Sequence, residues 1–293
     1  MKRSVKSVQR QDLLKSICFL GPSFLGVLLF FILPFGVVVY YSLIKSPMVH
    51  DFVFLDNFIS IIKNTAFQTA AKNTASFSLI AVPLAVVLGL LLALMLECRI
   101  PGKSQFRTFF LSPMMVPIAS IVLIWRVMFH EHGVINELTA VFGAGAIDWF
   151  NSDYSMVVVI SLFLWKNLGY NMILFMAALS NVPQELLEVA DVEGAKSPYK
   201  FFAIKLRYLS PTVLFVTILS LINSFKVFRE VYLLSGSHPY ESLYMLQHFM
   251  NNTFNNLDYQ KLSAAAVLLA VAMVIIIAVL FYIEDKFGKD VEG

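Results

Sequence analysis

Charge is scarce in this chain: only 14% of its 293 residues are Asp, Glu, Lys or Arg, against 58% apolar residues and a mean hydropathy of +0.75. So little charge excludes a water-soluble domain of this length and places the chain in lipid. Cysteine is scarcer still. Cys18 and Cys98 stand alone, with no C-x-x-C and no Cys/His cluster, which excludes a disulfide framework and a structural metal and leaves both as small apolar fillers. The patterns GxxxxGK[ST], HExxH, GxSxG and GxGxxG are also missing, so the usual signatures of nucleotide binding, zinc hydrolysis and acyl transfer are absent. If energy is used, another chain supplies it. His130 and His132, flanking Glu131 beside Gly133, read as a solvated loop and not as a metal site.

Long apolar runs are what the chain has in abundance. A bilayer core about 30 Å thick needs roughly 20 residues of helix, and six runs reach that length. Four are clean: Lys15 to Lys45, Lys72 to Glu97, Arg107 to Arg126 and Lys261 to Glu284. Two carry internal charge: Asp153 to Glu185, broken by Lys166, and Arg207 to about Leu234, broken by Lys226, Arg229 and Glu230. The runs are continuous, with Leu, Ala, Met and Gly throughout, so they are helices and not the short alternating strands of a membrane barrel. The first is too long, and too bulky at Pro34, Tyr40 and Tyr41, for a cleaved signal peptide. The expected fold is an all-α integral membrane protein of six transmembrane helices. Its spans are about 16–44, 73–96, 108–129, 154–180, 208–234 and 262–283, with an N-terminal segment 1–15, a loop 181–207 and a tail 285–293.

Basic residues near helix ends resist translocation and so report orientation. With the N-terminus inside, the cytoplasmic segments hold Lys2, Arg3, Lys6, Arg10, Lys15, Arg99, Lys103, Arg107, Lys196, Lys200, Lys205, Arg207, Lys286 and Lys289. The exterior segments hold only Lys45, Lys63, Lys72 and Lys261. Both termini are therefore expected in the cytoplasm. The same bias accounts for the net charge of +3, so no nucleic-acid partner is implied.

One charged segment then stands out on the cytoplasmic side, ELLEVADVEGAKSPYKFF from Glu185 to Phe202. Asn181-Val182-Pro183 is a helix-start signal. Glu185 and Glu188 suit the positive end of a helix dipole, Leu186, Val189 and Ala190 form an apolar stripe, and Gly194 supplies a stop. Ser197-Pro198 repeats the start, with Phe201, Ile204 and Leu206 as the next apolar face. The expectation is two short helices around a glycine turn. Such a unit either lies in the headgroups as an amphipathic connector or docks into the groove of a soluble partner through small Ala190 and Ala195.

The run from Glu188 through Val189, Ala190, Asp191, Val192, Glu193 and Gly194 to Ala195, followed by Phe201, Ile204, Leu206, Leu209 and Pro211, resembles the EAA loop of binding-protein-dependent ABC importer permeases. It departs in Val189 for the second Ala and in Arg207 for a Pro. Trp165 to Asn171 before the loop and Ser235-Gly236-Ser237-His238-Pro239 after it look like the carbohydrate-type permeases. The resemblance implies a bacterial plasma-membrane subunit that moves a sugar by alternating access. It also implies its partners: a second permease, a cytoplasmic ABC ATPase dimer holding ATP and Mg, and an extracellular solute-binding protein. This chain would bind no cofactor itself. Glu185, Glu188, Ala190, Asp191, Glu193, Gly194, Ala195, Ser197 and Phe201 would couple it to the ATPase.

Charges at bilayer depth must be paired or wet. Lys226 and Glu230, four apart, could simply pair with each other. Alternatively Lys166, Lys226, Arg229 and Glu230 line a translocation cavity with Asn167, Tyr170, Asn171 and Asn223 as hydrogen-bonding groups and Trp165 or Phe225 as a stacking face. Pro34, Pro83, Pro113 and Pro117 are expected to kink their helices. The exterior stretch 251–256 reads as a polar loop. An integral-membrane enzyme or a passive channel remains the competing class, the enzyme marked by a converging His/Asp/Glu cluster and the channel by having no need of a docking segment.

Overall fold

The computed structural model describes residues 5–46, 48, 50–98, 101–143 and 145–288, without the side chains of 5–14 and 287–288. Lys2, Arg3, Arg99 and Lys289 of the orientation argument lie outside the described residues. The described chain is helical, and its one β feature is the isolated bridge between Ile44 and Phe52. Among the described residues five helices are long and apolar enough to cross a membrane, and a sixth crossing exists if one bent pair counts as a span.

The chain divides into two compact units. One comprises the chain up to Asn64 together with Thr253–Val271. It opens with α1 (Val5–Val27), a π-helical turn at Leu28–Ile32, and α2 (Leu33–Ser42). The turn precedes Pro34, which has no N–H to give back along the helix, so the backbone widens there. The apolar side chains of this run, from Phe19 to Phe35, are exposed, as a lipid-facing anchor requires. After α2, Asn57 on α3 (Asp56–Ile62) donates to the Ser42 and Ile44 carbonyls, both at 2.9 Å, and fixes the turn.

The second unit, Thr65–Asn252 with residues from Ala272 onward, holds the core. In it α4 (Thr65–Glu97) carries Pro83 inside without interruption. The third run is not a straight helix: α5 (Lys103–Met115) and α6 (Ile118–Met128) meet at 101° across Val116-Pro117. Pro117 sets extended backbone before it and starts the new helix, a sharper break than a kink. Next come α7 (Val134–Val141), α8 (Ser155–Leu179) and α9 (Gln184–Val192). The fifth run begins earlier than its apolar window. Ser197–Tyr199 (α10) passes through a π-helical stretch, Lys200–Lys205, without a stop into α11 (Leu206–Lys226) and α12 (Phe228–Ser235). The separate second short helix of the sequence reading is thus the base of a span. Residues 251–255, read as a loop, belong to α13 (Leu246–Asn255), and α14 (Tyr259–Gly288) ends the described chain.

Close approach of α4, α5, α8 and α11 rests on small residues. A Cβ on Gly169 would collide with the Phe110 carbonyl of α5, and one on Gly89 would stand 2.8 Å from Asn171 Cβ. Val82, Val86, Met172, Phe175, Leu209 and Val216 fill the space between. Cys18 and Cys98 are free and exposed and fill nothing inside the bundle. His130 and His132 stand on an exposed turn.

Candidate functional site

Polar side chains recur at helical spacing on two facing helices. Asn167 and Asn171 lie one turn apart on α8, and Ser220, Asn223 and Ser224 lie on one side of α11. Asn171, fully buried, donates to Ser220 Oγ at 3.0 Å and to the Ala85 carbonyl at 3.3 Å. Ser78 on α4 meets Ser224 at 2.9 Å, and Asn223 donates to Asn167 at 3.1 Å. Interhelical hydrogen bonds of this kind hold helices together where no water competes. They also open the bundle to polar company.

Next to this seam lies a cavity of about 300 Å³. Lys166, Asn167, Tyr170, Asn223, Lys226, Arg229 and Glu230 line it, seven of the ten residues expected at a substrate pathway. The other three stand elsewhere. Asn171 is consumed by the α4–α8–α11 seam, Phe225 packs against the apolar core, and Trp165 lies 6.3 Å from Trp125, centroid to centroid. Glu230 does not take its neighbour four residues away. Its Oε1 accepts from Lys166 Nζ at 2.5 Å, across helices. Glu230 is buried, and its Oε2 has no hydrogen-bond partner. Apolar walls come from Met114 and Ile118 at the bent pair and from Leu162 and Leu219. No sequence pattern marks these four, because their role depends on the 101° bend and on helix rotation.

A second site is the segment after α8. Pro183, not Asn181, occupies the N-cap position of α9, and no side chain caps the helix start. The stop forms as the sequence suggests. Gly194 has φ +78°, Ala195 N–H donates to the Ala190 carbonyl at 2.8 Å, and Gly194 N–H donates to Asp191 O at 3.0 Å. This is a Schellman cap, whose left-handed residue favours glycine. Glu185, Glu188, Asp191, Glu193, Gly194 and Ser197 are exposed, Ala195 and Phe201 half-buried. Ala190 is buried, so the small residue expected on a docking face turns inward, and the exposed apolar face consists of Leu186, Val189 and Val192. Two ion pairs brace the segment: Lys200 with Asp191, and Lys205 with Glu97 at 2.6 Å.

Outside the spans, Asn136 on α7 organises the loop that follows, donating to the carbonyls of Glu131 and Ile147 and accepting from Trp149 Nε1 at 2.9 Å. In that loop Asp148 accepts from the Asn151 side chain and from backbone N–H groups, which holds its carboxyl below the usual range. Among the described residues no group of three or more His, Cys, Asp and Glu is placed to hold a metal.

With this geometry in view, the profile of the binding-protein-dependent transport system inner membrane component matches residues 85–293. The arabinooligosaccharides transport system permease protein AraP of Halalkalibacterium halodurans is 29% identical over 274 residues, 88% of this chain and 86% of that one. The probable ABC transporter permease protein YesP of Bacillus subtilis is 30% identical over 294 residues, 94% of this chain and 92% of that one. One chain of the crystal structure of a bacterial alginate ABC transporter, in complex with a periplasmic protein carrying an alginate pentasaccharide, superposes with a TM-score of 0.81. It covers 98% of this chain and 99% of its own at 20% identity, a likeness of fold. The chain is a multi-pass membrane permease subunit, not an enzyme, and it belongs to the family of binding-protein-dependent transport system inner membrane components.

Proposed function

We propose that this chain is one of two permease subunits of an ATP-driven sugar importer in a bacterial plasma membrane, with both termini in the cytoplasm. A cytoplasmic ATPase dimer holds ATP and Mg, an extracellular solute-binding protein delivers the cargo, and the single copy of the α9 segment calls for a second permease. Closure of the ATPase moves α9, and the permease pair switches the cavity from one face of the membrane to the other. The α9 segment carries this reading. It is a short, exposed helix with a glycine stop, standing between two spans and tied through Asp191–Lys200 to the base of the next span, which Lys205–Glu97 in turn ties to α4, so a push on it reaches the span that continues from Ser197. The similarity to AraP, a permease protein of an arabinooligosaccharides transport system, supports a carbohydrate cargo.

The test is a thiol at Val192, 90% exposed, in a background without Cys18 and Cys98. It should cross-link to an ATPase that co-purifies with this chain. In parallel, Gly194→Val forces a β-branched residue onto φ +78°, a local strain of about 1–3 kcal/mol. Uptake per assembled importer should fall while insertion persists. Absence of an ATPase from the purified complex, or full uptake and coupling in Gly194→Val, would overturn the reading.

A further inference from the structure

Three cations, Lys166, Lys226 and Arg229, share the cavity with a single acid, Glu230. Glu230 is committed to Lys166 through Oε1. Lys226 and Arg229 have no acidic partner among the described residues, and both face the cavity. Surplus cations at membrane depth are costly unless an anion or water meets them. The carboxylate is also only half satisfied, because Oε2 of a residue 5% exposed accepts no hydrogen bond. A buried acceptor left in that state costs free energy that an arriving donor removes. Between the charges, Asn167, Asn223 and Tyr170 present amide and hydroxyl groups. Leu219 and Met114 offer apolar wall against which the face of a ring can lie. A neutral sugar would satisfy the amides and Glu230 and leave both cations uncompensated. An anionic one satisfies all of them.

We propose that the cavity takes an anionic sugar, a pyranoside bearing a carboxylate or another oxyacid group. Its anion sits on Lys226 and Arg229, and a hydroxyl donates to Glu230 Oε2. The volume, about 300 Å³, lies at the lower end of the roughly 300–1,000 Å³ usual for small-molecule pockets, which fits one or two rings at a time. This proposal rests on the permease reading and narrows its cargo.

The test uses the complete importer, purified through this chain and held in nanodiscs of zwitterionic lipid, so that lipid headgroups add no net charge. Equilibrium binding is measured for glucuronate, glucose 6-sulfate and glucose 6-phosphate, with glucose as the neutral reference. At least one anionic probe should bind about ten-fold or more tighter than glucose, since ionised partners strengthen each hydrogen bond. Which one does so identifies the oxyacid. Lys226→Gln with Arg229→Gln should cancel that preference, bringing the anionic probe to the affinity that glucose has for the same variant, while Arg229→Lys alone should keep it. Equal binding of glucose and all three anions overturns the proposal, and so does an anion preference that survives the double substitution. Equal loss in Arg229→Lys and the double variant assigns the residues to packing and also overturns it. Failure of the permease reading shows separately, before any probe is added, as a complex without an ATPase.

Discussion

Gly169 has no room for a side chain, because an added Cβ would fall on the Phe110 carbonyl where α5 crosses α8. Gly169→Ala must push the two helices apart, and overpacking of this kind costs about 1–3 kcal/mol. The expected result is a lower thermal midpoint and a lower yield of assembled complex. Gly21 is the control, since nothing lies within 4 Å of its added Cβ. There alanine should be tolerated, helix propensity favouring it by up to about 1 kcal/mol. Equal behaviour of the two variants would refute the close-packing account. At this same scale the Lys226–Glu230 pairing, one of the two alternatives that the spacing left open, does not form. Spacing along one helix shows only neighbours, and the partner Glu230 takes, Lys166, lies 64 residues away. The charges were legible as residues that cannot face lipid. Which of them cancel was not, since that depends on how α8 and α12 are rotated against each other.

Helix ends illustrate what local sequence can and cannot specify. The Gly194 stop was legible because a left-handed residue leaves few alternatives to glycine. The Ser197-Pro198 start was legible too, but between it and Leu206 nothing stops the helix, and the chain runs on into a span. Residues 251–255 misled for the opposite reason: their polarity signals a loop, whereas tertiary contacts hold α13. Leu246 N–H donates to Thr74 Oγ1 at 2.9 Å, His248 Nδ1 accepts from Met245 N–H, and the His248 ring meets Phe228 at 4.7 Å. His248 is fully buried, and burial pushes its pKa down to about 4 from 6.5. The unfolded chain therefore takes up a proton first as pH falls. Stability present above pH 6.5 is lost progressively down to about pH 4. The loss should reach on the order of 3 kcal/mol, from about 1.4 kcal/mol per unit. Thermal midpoints of the purified complex should drop over that window, and His248→Gln should flatten the drop. An equally steep acid limb in the variant would show that other groups cause it.

Across the whole molecule, the bend at Pro117 decides the parity of the topology. Among the described residues five helices are long and apolar enough to span, and a sixth crossing exists only if α5 and α6 together traverse the membrane in spite of their 101° angle. If the pair turns back instead, the termini fall on opposite faces, and Lys196, Lys200, Lys205 and Arg207 all move outside. That would put four basic residues close to the end of a span on the side they resist. Charge therefore favours a crossing, and α9 then shares the face of the N-terminus. A thiol at exposed Ser197 should be modified by an impermeant reagent only from the cytoplasmic face. One at exposed Asn255 should be modified only from outside, and Asn255 is a better site than Asn252, whose side chain donates to the Ser237 carbonyl. Labelling is read in right-side-out and inverted vesicles of a variant without Cys18 and Cys98. If Ser197 is labelled from outside, α5 and α6 form a re-entrant pair. The α9 segment would then be beyond the reach of any cytoplasmic ATPase, and the coupling proposal would fall with it.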